Sequence, residues 1–480
     1  MRGSARRAVA YLFALAALSL AGCGGGDARS RPNILLVTID TVRPDHLGAY
    51  GSPSGRTPNI DRLSAGGTLY TEAFSAAPWT LPSMATIMTS RYPSQHGAYW
   101  VDRRIDGNAP SIAEELRRAG YATAGFHGHL LVSSLYGFDK GFERFVELDV
   151  DLEDEDKAFA LARQARQNQP QAEDINREAL VWLREEAKEP FFLWVHYFDP
   201  HLPYQPPDRF RRAFDEGPSD MLAIRGRPPQ EYFQPEIPMP EPLRRQLIHL
   251  YEGEIFAADL ALGDLLAAYR ERFDDEPLVV LLSDHGEEFK EHGRLSHTKT
   301  LYDELIRIPL LVSGPGFARG ALVSSAVRTV DVLPTVLRAA GVGTPAGIEG
   351  EPLPLQAETN GETRVVLAET RNRSWEEDEG QKVTGSFPLF LRSIQRGEWK
   401  TILSILDGAE ELYSLEADPR ENADRGADLP DTIARFLGDY ERFAAEGGPF
   451  GVMAGEPADT ADVELSPEQI ENLRALGYVR

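Results

Sequence analysis

Residues 33–39 read NILLVTI. Nearly every position is apolar and several are β-branched, the pattern of a strand buried on both faces. The same pattern returns at 191–196 (FFLWVH) and at 278–282 (LVVLL). Stretches of a different period lie between them. Residues 111–119 predict a helix opened by Ser111, with Glu114 three residues on as a capping box. Residues 174–188 predict another helix, and 322–340 alternate strand and helix. Strands separated by helices predict a large, mostly parallel sheet with helices on both faces, an α/β fold.

Beyond this region the pattern changes. Residues 208–242 are rich in Pro and charge and predict a surface excursion, a lid or a substrate-facing loop. Residues 341–363 are rich in Gly and Pro and mark a boundary. Short apolar runs at 365–368, 391–394 and 401–403 predict a small antiparallel sheet, followed by a helix at 431–445. Residues 447–462 are loose, and a last short helix is expected at 467–476. The expected domains are a signal segment at 1–22 and a linker at 23–30. A catalytic α/β domain is expected at 31–355, then an α+β subdomain at 364–446 and a tail at 447–480.

The N-terminus changes the cellular picture. Arg2, Arg6 and Arg7 precede an apolar run at 9–20, which ends in Leu20-Ala21-Gly22-Cys23. This order reads as a secretory signal. The tetrad is similar to a bacterial lipobox, which implies lipidation at Cys23 and attachment to the envelope membrane on its periplasmic or cell-surface side. Cys23 is the only cysteine. Disulfides within the mature chain, a cysteine nucleophile and a thiolate metal site are therefore excluded. The formal net charge of -25 argues against nucleic acid as a partner. It also means that an anionic substrate needs a local positive site, such as a bound cation.

Three of the buried runs end in polar clusters. One ends at Asp40, one at His196 to Asp199-Pro200-His201, and one at Ser283-Asp284-His285-Gly286. Ligands of open α/β sheets bind outside the carboxyl ends of the strands, so Asp40, His201, Asp284 and His285 are expected to converge. Carboxylates with an imidazole suit a divalent cation such as Zn, Mn or Ca. A fourth segment, APWTLPSMAT at 77–86, places Pro82 in the first turn of a helix and Thr80 just before it. There Thr80 is either a helix cap or a hydroxyl poised against an anion.

Together these pieces resemble the sulfatase family of the alkaline phosphatase superfamily. NILLVTID at 33–40 is similar to the family's first strand and its metal-binding Asp, and TPNIDRL at 57–63 to the family's next segment. TLPSMATIMTSR at 80–91 resembles the signature around the nucleophile. DPHLPY at 199–204 resembles the segment whose His contacts substrate or leaving group. SDHGE at 283–287 is similar to the second metal-binding cluster, and LYDELIRIPL at 301–310 to the segment after that cluster. Glu411-Leu412-Tyr413 with Asp418-Pro419 and Glu421-Asn422 resembles the C-terminal motif. The resemblance implies an ester hydrolase with one or two divalent cations. It puts Asp40, Thr80, Asp284 and His285 on the metal, Thr80 as nucleophile and His201 at the anionic group.

Several positions depart from the family pattern. Thr80 stands where sulfatases carry the Cys or Ser that becomes formylglycine, so no formylglycine is expected. Met84 replaces an Arg, Thr41 the second Asp of a pair, and His285 an Asn. A Lys is missing, and His127 or His129 takes its place. These changes resemble phosphodiesterases and phosphoethanolamine-type transferases of the superfamily, and His297 is similar to an imidazole of the transferases that contacts the transferred group. A threonyl ester cannot collapse to an aldehyde as formylglycine does, so water or an acceptor alcohol must attack it in line. That favours phosphoryl chemistry. Arg91 is expected to be structural, and Glu287, Glu291 and His292 to form a solvated turn. Hydrolysis of phosphate or sulfate esters is the leading reading. A transferase of phosphoryl headgroups onto an envelope lipid or glycan, and a binding protein without turnover, are the alternatives.

Overall fold

The computed structural model describes residues 31–148, 170–207, 209, 230–356, 364–372, 389–445, 463–476 and 478. The main sheet uses β1 (Ile34–Ile39), β2 (Gly67–Phe74), β3 (Ala122–His127), β4 (Arg144–Glu147), β5 (Phe191–Tyr197) and β6 (Leu278–Ser283). After the short pair β7 (Glu288–Phe289) and β8 (Leu295–Ser296), the sheet also takes in β9 (Arg307–Ser313), β10 (Ala321–Val323) and β11 (Val327–Arg328). The order is β10-β2-β9-β6-β1-β5-β3-β4, with β11 beside β2. β9 runs antiparallel to β2 and β6, and the other pairs are parallel.

β1 shows why the sheet is buried on both faces. All six of its residues are buried. Ile34 and Leu36 enter one core, Leu35, Val37 and Ile39 the other, as the two-residue side-chain period requires. Each such side chain contributes about 1.5–3 kcal/mol by leaving water. The first core is covered by helices Thr80–Thr89, Ile112–Arg118 and Val332–Ala339. The second is covered by Pro58–Ala65, Ala172–Val181 and Glu241–Arg272. In register, Ile39 of β1 faces Tyr197 of β5 and Ser283 of β6. Three strands therefore end together, and the polar residues after them share one edge.

Several boundaries correct the sequence reading. The helix at Ile112–Arg118 has no capping box, because the Ser111 hydroxyl donates to Lys140 O at 2.8 Å instead. The helix expected at 174–188 starts earlier, at Ala172. Its α turns end at Val181, and a π turn continues it at Trp182–Glu186. The 32-residue helix Glu241–Arg272 was hidden by buried polar side chains that break its apolar stripe. Glu254 accepts Gln205 N at 2.6 Å, and Asp259 accepts Ile60 N at 2.8 Å. Of the expected excursion at 208–242, the described end holds a short turn at Gln230–Phe233 and the start of this helix.

The second sheet is antiparallel, in the order β12 (Val366–Asn372), β13 (Leu389–Arg396), β14 (Trp399–Ser404) and β15 (Glu410–Ser414). One face packs Leu367, Ile394 and Leu412 on Ile433 and Phe436 of helix Pro430–Ala445. The other packs Val366, Ile402 and Tyr413 on Phe74, Leu301 and Ile306 of the main domain. The last helix is Pro467–Leu476, as expected. Cys23 and residues 447–462 lie outside the described residues. Among the described residues, no helix is long and apolar enough to cross a membrane.

Candidate metal and ester site

Asp40 follows β1 and Asp284 follows β6, and both are fully buried. Local bonds fix these turns. Ser283 Oγ accepts Val42 N at 2.8 Å and lies 2.7 Å from Ile39 O and His285 O. Thr41 holds φ of +56°, unusual for a β-branched residue. That turn aims its N–H at Asp284 Oδ1 (3.3 Å), and its hydroxyl donates to Pro200 O. Strain of this kind is typical of functional sites.

The four residues expected at a cation come together. His285 Nδ1 donates to Gly286 O at 2.8 Å, which turns Nε2 toward the site. Nε2 lies 3.3 Å from Asp40 Oδ1, 3.5 Å from Asp284 Oδ2 and 3.3 Å from Thr80 Oγ1. Burial, and the nearby Asp284, push the Asp40 carboxyl well above the usual carboxylate range. Burial alone would lower His285, yet Asp284 and Asp40 raise it to about 9. Both oxygens of Asp40 and Oδ2 of Asp284 are buried without a hydrogen bond. Buried polar atoms are rarely left so, and two close carboxylates repel unless a cation joins them. This donor set fits a divalent cation, with three protein ligands and the Thr80 oxygen around it.

Thr80 sits one position deeper than expected. It is the first residue of helix Thr80–Thr89, with Trp79 extended before it. The helix is entirely buried, and Ser83 Oγ anchors it to Asp284 O at 2.5 Å. Its free N–H groups and dipole favour an anion in front of Thr80. Met84 is packed in the core, and Arg91 bonds Gly347 O at 2.9 Å.

The predicted imidazoles line the other side. His201 Nδ1 lies 2.6 Å from Leu202 O, which leaves Nε2 as the acceptor, 3.0 Å from the Tyr478 hydroxyl. His297 Nδ1 lies 3.0 Å from Glu287 Oε1, and Glu287 Oε2 accepts Tyr204 OH at 2.7 Å. The His297 ring is 5.1 Å from His201 and 4.6 Å from His285. Burial lowers its pKa despite Glu287. The expected solvated turn fails at Glu287, whereas Glu291 is exposed as expected and His292 is half-buried. Glu287 is fully buried and orients His297, because an imidazole needs a fixed tautomer to act. Glu291 pairs with Arg43 at 2.7 Å, and His292 stacks on Tyr302 and reaches Glu304 at 2.6 Å.

Other residues reach the site without having been expected as cation ligands. His129 and His196 lie with Asp40 close enough for one ion to touch all three. Both are buried, and burial lowers both, His196 to about 3, so their rings are neutral. Of the two candidates for the missing Lys, His129 reaches the site, its ring 6.3 Å from His201. His127 packs instead on Phe145 and Trp194. A polar residue in the apolar run of β5 was the one signal for His196. Tyr478 gave none. Its hydroxyl lies 3.0 Å from both Thr80 Oγ1 and His201 Nε2.

The Sulfatase family model matches residues 32–342. An uncharacterized sulfatase of Escherichia coli K12 is 26% identical over 82% of each chain. An arylsulfatase of Clostridium perfringens is 24% identical over 82% of this chain and 89% of its own. Among solved structures, a complex with the substrate D-glucosamine-2-N,6-O-disulfate aligns with a TM-score of 0.69 at 19% identity. It covers 89% of this chain and 100% of its own. The phosphonate monoester hydrolase of Agrobacterium radiobacter aligns at 0.67 and 21%, covering 86% and 95%. Members of this family are metal dependent, which agrees with the donor set around Asp40. The chain belongs to the sulfatase family of the alkaline phosphatase superfamily, a family of ester hydrolases.

Proposed function

We propose that the chain hydrolyses phosphate esters through Thr80, at a divalent cation held by Asp40, Asp284 and His285. One observation carries this reading. The Thr80 hydroxyl lies 3.3 Å from His285 Nε2, before two buried carboxylates, three of whose oxygens have no hydrogen bond. A bound cation supplies positive charge that favours the Thr80 alkoxide and draws in the anionic ester. Thr80 Oγ1 then forms a bond to phosphorus while the bond to the leaving oxygen breaks. The proton released by the Thr80 hydroxyl passes to His201 or His297, which delivers it to that oxygen. Water attacks the threonyl ester in line, the phosphorus–Thr80 bond breaks, and an imidazole takes the water's proton. Threonine favours phosphorus over sulfur here, since no aldehyde is present to expel sulfate.

The orphaned nitrogens of His129 and His196 support a second cation shared through Asp40. Trp194 Nε1 donates to Thr38 Oγ1 at 3.0 Å, and His196 Nδ1 lies 2.9 Å from that same oxygen. Donation from Nδ1 leaves Nε2 to ligate.

The test is metal content together with turnover of aryl phosphate mono- and diesters, phosphonate and sulfate esters, for wild type and Thr80→Ala. Phosphoester turnover should fall by at least about 10³ in the variant, with its melting temperature kept. Equal turnover by Thr80→Ala would sink the nucleophile, and a wild type faster on sulfate would sink the preference for phosphorus.

A further inference from the structure

The tail is anchored on the main domain. Leu473 in the last helix is fully buried, and Val463 N donates to Asp102 O at 2.9 Å. Tyr478 N donates to Leu473 O at 2.9 Å, which ties Tyr478 to the end of that helix. From there its side chain enters the centre of the site. Its ring lies 5.6 Å from His297, 5.7 Å from His201, 5.8 Å from His129 and 6.0 Å from Trp79. Its hydroxyl bonds the Thr80 hydroxyl and His201 Nε2, both at 3.0 Å.

That position is the one an ester needs. The atom under attack must come within about 3–3.5 Å of the attacking oxygen. The Tyr478 oxygen already stands at 3.0 Å from Thr80 Oγ1, so the two cannot be present together. Thr80 and His201 are fully buried. An ester reaches them only if a wall moves. The strand ends and the helix at Thr80 are held by the main sheet and its covering helices; Tyr478 also packs in the first core, with Leu473 and Val463, but it is carried by the segment after the last helix.

We propose that Tyr478 is a built-in competitor: the C-terminal segment plugs the site and must withdraw before an ester meets Thr80. The inference rests on the reading of Thr80 as nucleophile. Substrate binding and plug release are then one equilibrium, and the closed fraction lowers the apparent affinity.

Diethyl pyrocarbonate, which attacks neutral imidazoles, tests the plug without needing turnover. The full chain and its Tyr478→Ala variant are modified, and His201 and His297 are followed by mass spectrometry. The buried His96, outside the site, reports general loosening. Modification of His201 should be about fivefold faster in Tyr478→Ala, with His96 unchanged. Equal rates at His201 overturn the plug, even if the protein turns over none of the esters and the proposed function has failed. Tyr478→Phe keeps the ring and loses the two hydrogen bonds, so it covers the case in which the Ala variant folds poorly; an intermediate rate is expected. In steady state the Ala variant should show KM lower by about fivefold with kcat not reduced. A tenfold fall in kcat at unchanged KM would make Tyr478 a catalytic group and overturn the competitor.

Discussion

Two buried clusters of charge in this protein differ in one respect. Around Asp40 and Asp284, carboxylate oxygens are fully buried and have no hydrogen bond. Around Lys400, every charge meets an opposite one. Lys400 is also fully buried, but its Nζ lies 2.8 Å from Asp303 and 2.7 Å from Glu421. Glu421 Oε2 in turn accepts Asp303 N at 2.6 Å, and Glu421 O lies 3.1 Å from His292 Nε2. Burial disfavours the Lys400 charge, yet the two carboxylates raise its pKa. In the first cluster His285 Nε2 stands off at 3.3 Å from Asp40 and 3.5 Å from Asp284, which leaves room for a further ligand. The second is closely paired at 2.7 and 2.8 Å, and it ties β14 and the segment after β15 to Asp303, just before β9. Burial of charge therefore does not mark function by itself; missing partners do.

Substituting Asp40 by Asn breaks the first cluster. Activity should fall by at least about 10³, because the carboxylate faces both proposed cation positions. Stability of the metal-free protein should not fall, since a neutral amide relieves repulsion against Asp284. Turnover and metal-free melting curves measure the two effects. A large loss of stability would show that Asp40 is held by the fold like the Lys400 group.

Lys400→Met should give the opposite result. Removal of the cation leaves Asp303 and Glu421 facing each other unpaired, which costs about 3 kcal/mol. Denaturant titration reads that loss. Turnover per folded molecule, measured well below the melting temperature, should stay within about twofold of wild type. A collapse of turnover without loss of stability would erase the distinction between the clusters.

The first cluster was legible in the sequence because the chemistry sits at the ends of apolar runs. Asp40, His201, Asp284 and His285 each close a stretch whose strand character is plain. The same logic failed where a polar residue lies inside an element. His196 stands within β5, and Glu254 and Asp259 lie within the long helix whose apolar stripe they interrupt. Glu287 was misread because Glu beside Gly, Glu291 and His292 looks solvated; only tertiary packing brings it to His297 and Tyr204. Tyr478 was not readable at all. No local period tells that a tail residue crosses to an edge formed by residues some 400 positions earlier.

The smallest effect sharpens the second cluster through pH. His292 Nδ1 lies 2.6 Å from Glu304, and its ring stacks 3.6 Å from that of Tyr302. Burial pulls its pKa down, but the Glu304 hydrogen bond and charge win and raise it to about 9. The folded protein thus holds this proton more tightly than the unfolded chain, where histidine titrates near about 6.5. The stabilisation is fully present below about pH 6.5 and is lost as pH rises through about 9. His292→Gln should therefore cost about 1 kcal/mol at about pH 6, solvent screening having removed part of the pair's strength. The gap to wild type should close above about pH 9. Denaturant midpoints of both proteins at the two pH values decide it. A gap that does not change with pH would mean that His292 is neutral in the fold, and that Glu304 is met by a hydrogen bond rather than by a charge.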